Sequence, residues 1–332
     1  MLRLVLLLVL GCPGESDTAD TADTATDLPA WQDVGENLPG ALLSVWGSGA
    51  DDVFVVGADA GSGPMAFHLS GGVWTPLSGL DAGDLWWVSG DATGVWMAGV
   101  GGRVFHGEAD GSGLIGAVTD PTVTLYGIWG PGDGTAWAVG GNPDVPADAA
   151  RVFHYDGTAW TDAAIPVEAA AQFALYKVWG AAADDVWAVG ANGIAIHWDG
   201  SAWTNVETLS LVNLFTVHDG YAVGGTVGGT ILRSEGGGTT WTDESPDFAL
   251  QITGVHGGAD PVAVGSQGSV WLRENGAWTP DPRSKPTYQD LHAVWRDPDG
   301  GVWSVGGHIS SLPLIQGALV YAGYTIIPLV EN

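Results

Sequence analysis

The chain has a single cysteine, Cys12, among its 332 residues. No intrachain disulfide can form, so packing and hydrogen bonding must hold the fold together. Basic residues are almost as scarce: nine Lys and Arg stand against 38 Asp and Glu, a formal net charge of -29. Phosphate backbones are neutralised by clustered Lys and Arg, so this balance excludes a general nucleic-acid binder and opposes direct contact with anionic lipid headgroups. Without the first 30 residues, 33 acids still face 8 bases. The acidity therefore belongs to the body of the chain, where it favours solubility in salt or attracts cationic partners. The sustained 3.6-residue apolar periodicity of long helices is missing, and no segment reaches the roughly 20 apolar residues that cross a bilayer.

Glycine and tryptophan are abundant, at 53 and 18 residues. The phrase Val178-Trp179-Gly180, a few small residues, then Val186-Trp187-Ala188-Val189-Gly190 returns along the chain. Its seven copies end at Gly57, Gly99, Gly140, Gly190, Gly224, Gly265 and Gly306, spaced by 42, 41, 50, 34, 41 and 41. A period of roughly 40–45 residues suits four short strands and their turns. Within a unit, apolar runs broken by Gly, Ala and Asp read as strand, turn and strand, followed by 194–198, a turn at Asp199-Gly200 and a closing strand from Trp203. Such sheets are apolar on both faces and must stack on one another. The expected fold is all-β: one domain, residues 31–332, forming a seven-bladed β-propeller of four-stranded antiparallel sheets. The tryptophans recur at fixed repeat positions, as bulk between blades does.

The blades fall at about 42–77, 85–118, 125–166, 175–206, 214–245, 252–280 and 291–329. Residues 31–34 then form a spare outer strand, expected beside blade seven, where it closes the ring non-covalently. Whether residues 324–329 leave that seat free or make the strand a fifth is open.

Met1-Leu2-Arg3 is a cationic start, residues 4–10 are apolar, and Gly11-Cys12 follow. Residues 1–12 resemble a bacterial lipoprotein signal: Val9, Gly11 and Cys12 fit the lipobox, while Leu10 is bulkier than that family's usual residue. The resemblance implies that Cys12 is acylated and becomes the mature N-terminus, in an outer-membrane lipoprotein of the cell envelope facing the periplasm or the cell surface. A plain secretory signal, or a mispredicted start with an incidental cysteine, is the alternative. Residues 13–30, with Asp17-Thr18-Ala19-Asp20-Thr21-Ala22-Asp23, are a disordered acidic tether reaching about 60 Å when stretched. They lack the glycine and terminal Glu of a calcium loop.

The phrase 196–203, Ile-His-Trp-Asp-Gly-Ser-Ala-Trp, and its relatives at 153–160 and 233–241 resemble the Asp-box repeats of bacterial propellers and photosystem-assembly-factor-like propellers. The resemblance implies a fold more than a function, since propellers host hydrolases, lectins and scaffolds alike. Blade five departs from it, with Gly236 in the aspartate's place.

His68, His106, His154 and His197 share one position on strand three of four different blades. Rotation about the ring axis keeps them from converging on one metal ion, and bonds to neighbouring turns are expected instead. His218 and His256 replace Trp46, Trp129, Trp179 and Trp295 at the end of strand one in adjacent blades, so they are expected to be neighbours, with no third ligand. No metal or cofactor is implied. A sialidase needs three converging arginines, whereas Arg103, Arg151, Arg233 and Arg273 fall on or beside strand three; no nucleophile constellation is found. The chain reads as a monomeric, non-enzymatic scaffold for an envelope protein or glycan. A lectin with repeated rim aromatics and a sialidase-like glycoside hydrolase are the alternatives. Long strand-two-to-three loops in blades one, three and seven and long blade-to-blade links at 162–173 and 281–290 point to one face for binding. Trp46, Trp295, Arg283, Lys285 and Tyr288 are its candidate residues.

Overall fold

The computed structural model describes residues 28–323, except 82, 92, 143, 146 and 236–239. Cys12, the signal, most of the tether, Gly236 and residues 324–329 lie outside the described residues. Among the described residues twenty-eight strands form seven four-stranded antiparallel sheets. Six blades use consecutive strands. The seventh has the order Asp290–Arg296, Val302–His308, Ile315–Ala322 and, outermost, the N-terminal strand Trp31–Gly40. The spare strand thus takes the fourth seat of blade seven. It is longer than its apolar start suggested, because two register shifts let it follow the third strand down to Gly40.

Strand two explains the radial stacking. Gly94–Gly99 and Ala136–Gly141 are buried at every position, so both faces of the sheet lie against other blades. The core is accordingly divided into interblade layers. Val53, Val55, Trp303 and Val305 join blades one and seven, while Ala188 and Ile196 meet Trp137 and Val139 between blades three and four.

The repeat glycines pair with the first apolar residue of strand one in every blade: Leu42 with Gly57, Leu85 with Gly99, Leu125 with Gly140, and so on to Leu291 with Gly306. A Cβ on Gly57 would lie 2.1 Å from the Ala41 carbonyl oxygen, and on Gly224 1.9 Å from that of Asn213. Only glycine lets the strands approach this closely. Directly after the paired residue each strand one carries a β-bulge, whose extra residue is Leu43, Trp86, Tyr126, Tyr176, Phe215, Thr253 or His292.

The Trp-Gly pair ending strand one has a steric reason too. The Trp46 ring covers Gly90 of the next blade, Trp129 covers Gly180, and Trp295 covers Gly47; a Cβ on these glycines would meet the indoles at 2.7, 2.6 and 2.9 Å. Each glycine makes room for its neighbour's tryptophan.

Candidate functional site

Strand one starts at the face carrying the strand-two-to-three loops and the blade links, and it ends at the face of the hairpin turns. The bulge residues therefore gather at the loop-face mouth of the central channel. Trp86, Tyr126, Tyr176, Phe215, Thr253 and His292 line a cavity of about 380 Å³, together with Lys177, Asp290 and, from the loops and links, Phe173, Ser266, Ile309 and Ser310. The rings contact one another in sequence: Trp86–Tyr126 at 5.1 Å, Tyr126–Tyr176 at 5.6 Å and Tyr176–Phe215 at 5.5 Å between centroids. Burial pushes the Tyr126 and Tyr176 phenols up, so both stay neutral.

His292 bonds the Leu43 carbonyl through Nδ1, and burial, then Lys177, push its imidazole down to about 4. Asp290 accepts from the Gln267 backbone N–H at 2.9 Å and from the Ser310 hydroxyl at 2.6 Å. Lys177 is withdrawn from solvent at 3% exposure. Burial holds its amine well below the usual lysine range. Burial weakens its hold on a proton, and an anion brought beside it would strengthen that hold again.

At the hairpin-turn end, a second cavity of about 180 Å³ is lined by Trp46, Trp87, Trp129, Trp179, His218, His256 and Trp295. His218 and His256 are stacked neighbours at 4.4 Å, and His218 Nδ1 accepts the Gly257 N–H at 3.1 Å. Burial, then His256, lowers the His218 imidazole; burial, then Arg296, pushes His256 down to about 4. Both act as neutral packing rings. Trp46 and Trp295 thus lie at the end opposite the long loops, because they stand several residues along a strand that starts on the loop face.

The other candidates are divided. Arg283 holds Asp281 through its guanidinium at 2.6 Å, donates to the Pro29 carbonyl at 2.8 Å and sits 4.9 Å from the Trp31 ring. Its side chain is 10% exposed, so it latches the N-terminal strand and does not face outward. Lys285 and Tyr288 remain at the loop-face rim, with Lys285 Nζ 5.9 Å from the Tyr288 ring and Tyr288 exposed.

The strand-three histidines pack on the strand-two aromatic opposite: His68 on Phe54, His106 on Trp96 and His197 on Trp187 are stacked, and His154 is tilted on Trp137. His68 and His197 also bond Asp52 and Asp185, next to the first hairpin turn, at 2.6 and 2.7 Å. Arg233 and Arg273 share Glu244 on the outside of the ring, and Arg103 and Arg151 lie near Asp81 and Asp162. Asp156 and Asp199 each accept the N–H groups two and three residues on, capping their turns; those bonds, first the Thr158 and Ser201 hydroxyls, pull both carboxylates down to about 2.

The aromatic mouth escaped the sequence reading. Its signal was the residue after the first apolar residue of strand one, aromatic in blades two to five, but a bulge breaks the two-residue alternation that assigns side chains to faces.

No protein-family model matches the chain, and no curated protein matches it. Solved structures of similar fold include YCF48 bound to D1 peptide, 15% identical, covering 92% of this chain and 100% of that one with a TM-score of 0.64. YCF48 from Cyanidioschyzon merolae is 14% identical, covering 88% and 98% with a TM-score of 0.64. A streptogramin B lyase structure is 11% identical, covering 91% and 99% with a TM-score of 0.70. At these identities a peptide-bound propeller and a lyase are both similar in fold, and the comparisons establish the β-propeller fold.

Proposed function

We propose that the protein is a non-catalytic binding propeller whose loop face takes up a segment of a partner protein, and that Cys12 anchors it by lipid in the cell envelope. One observation carries the binding reading. Most exposed large apolar residues sit in the connections of this face: Val167, Leu209, Leu211, Phe248, Leu250 and Tyr288 in blade links, and Val145, Val227 and Leu312 in strand-two-to-three loops. Isolated surface apolar residues are ordinary, but their collection on one face around a concave aromatic mouth is what a partner surface needs. The similar fold of YCF48 is found with a D1 peptide bound, which supports the same use here. Among the described residues Asp290 is the one carboxylate lining the mouth, which favours binding over two-carboxylate hydrolysis. The lectin reading needs repeated rim aromatics, and among the described residues the exposed large aromatics are Phe248 and Tyr288.

The test is recovery of partners from solubilised membranes with the wild type, with Leu209→Asp/Leu211→Asp/Phe248→Asp, and with Val73→Asp on an outer strand. We expect the triple variant to lose partners that Val73→Asp keeps. Equal recovery with all three proteins would overturn the loop-face reading.

A further inference from the structure

Among the described residues, Lys177 is the one common to the linings of the two channel cavities. Its Nζ donates to the Tyr126 carbonyl at 3.1 Å and lies 3.1 Å from the centre of the Trp87 ring. Among the described residues no carboxylate stands within ion-pair distance of it. In an acidic protein this is a placement against the odds. Nor does the ring need an amine here. At the equivalent position of strand one, Thr216 makes the same tie to a neighbouring blade with a hydroxyl, to the Thr253 carbonyl at 2.7 Å, and the Ser44 hydroxyl accepts the Val88 N–H at 3.1 Å. A hydroxyl closes the ring without the cost of burying an unpaired amine.

We propose that the channel mouth is a site for a small aromatic carboxylate, its carboxylate on Lys177 Nζ and its ring among Trp86, Tyr126, Tyr176 and Phe215. The proposal rests on the reading of the loop face as the binding face and names what enters its centre. The cavity of about 380 Å³ is of small-ligand size. One amine matches one negative charge, whereas a polyphosphate needs the arginine cluster that the mouth lacks. Trp86 adds an indole N–H without an acceptor among the described residues. The other titratable groups facing the mouth are His292, Tyr126, Tyr176 and Asp290. Asp290 is already held by Gln267 and Ser310, and the two phenols are neutral. Burial lowers the pKa of the empty amine, and an arriving carboxylate favours its ammonium form, so binding draws protons from solvent.

The test is calorimetric titration of the full chain with benzoate, 4-hydroxyphenylacetate and indole-3-acetate, each beside its neutral amide, at pH 7.5 in buffers of different ionisation enthalpy. We expect at least one acid to bind roughly tenfold or more tightly than its amide, with proton uptake. Lys177→Met should abolish both the preference and the uptake while the thermal melt is kept. Should that variant fail to fold, the acid-to-amide ratio and the proton uptake of the wild type decide alone. Equal binding of acid and amide, no binding of any acid, or a preference surviving in Lys177→Met would overturn the proposal. If partner recovery by the loop face persists in any of those cases, the binding-face reading stands and only this inference falls.

Discussion

Gly57 and Gly224 show how single residues govern the ring, since a Cβ at either would run into the backbone of strand one at 2.1 or 1.9 Å. Backbone cannot swing aside as a flexible side chain can. We expect Gly224→Ala to cost about 1–3 kcal/mol or more. Gly49→Ala, whose Cβ would meet nothing closer than 3.7 Å, should be close to neutral; denaturant midpoints of the two variants check the contrast. The channel imidazoles give a pH dependence. His256 and His292, pushed down to about 4 from 6.5, stay neutral in the folded ring while the unfolded chain protonates them. Their stabilising contribution is thus full above pH 6.5 and drains as the pH falls from there to about 4, by up to about 3 kcal/mol for each ring. Melting temperatures across that window should fall, and His256→Phe should flatten the slope; an unchanged slope would contradict this account.

At the scale of elements, the N-terminal strand Trp31–Gly40 is held by a latch remote in sequence. The Trp31 indole donates to Asp281 Oδ2 at 2.8 Å, and Arg283 binds that carboxylate and the Pro29 carbonyl. Burial opposes the charge on Asp281, yet Arg283, its own backbone N–H and Trp31 hold the carboxyl below its ordinary value of 3.8. The latch is therefore complete above that value and is lost as the pH falls through the depressed one. Asp281→Ala leaves the buried Arg283 unpaired. We expect it to cost about 3–5 kcal/mol and to speed proteolysis ahead of Gly40, read by limited digestion. Loops should behave differently. The turns Val100–Gly102, Ala191–Gly193 and Ser266–Gly268 join strands two and three in three residues, with Asn192 at φ 54° and Gly193 at φ 75°. Replacing the blade three loop, 142–150, by the Ala191–Gly193 form should leave the melt within a few degrees, because closure entropy changes slowly with length. It should also reduce partner recovery; unchanged recovery would remove that loop from the binding surface.

At the scale of the whole molecule, the seven interblade layers share strands, so each blade has one face in each of two layers and the ring closes through blade seven. The anchoring reading belongs here too. Cys12→Ser should move the protein from the membrane fraction to the soluble fraction, and mass spectrometry of the wild type should find lipid on Cys12 as the first residue; an unmodified Cys12 would end that reading.

The fold was legible in the residues because its causes are local and repeated. Tryptophan, glycine and short apolar runs recur in phase, and each copy must bury the same two faces, so blade number, strand order and the place of residues 31–34 beside blade seven follow from periodicity, while their taking its fourth seat is seen only in the folded ring. The candidate site was legible only in part. Loop length marked the loop face, and Lys285 and Tyr288 do lie on its rim. Trp46, Trp295 and Arg283 went elsewhere, since a strand's direction and a latch 250 residues apart are set by ring closure and not by neighbours in the chain. The aromatic mouth and Lys177 come from tertiary structure alone. Each blade contributes a single bulge residue, which means little within its own 40 residues and acquires a role only when closure brings the strand-one bulges to one axis.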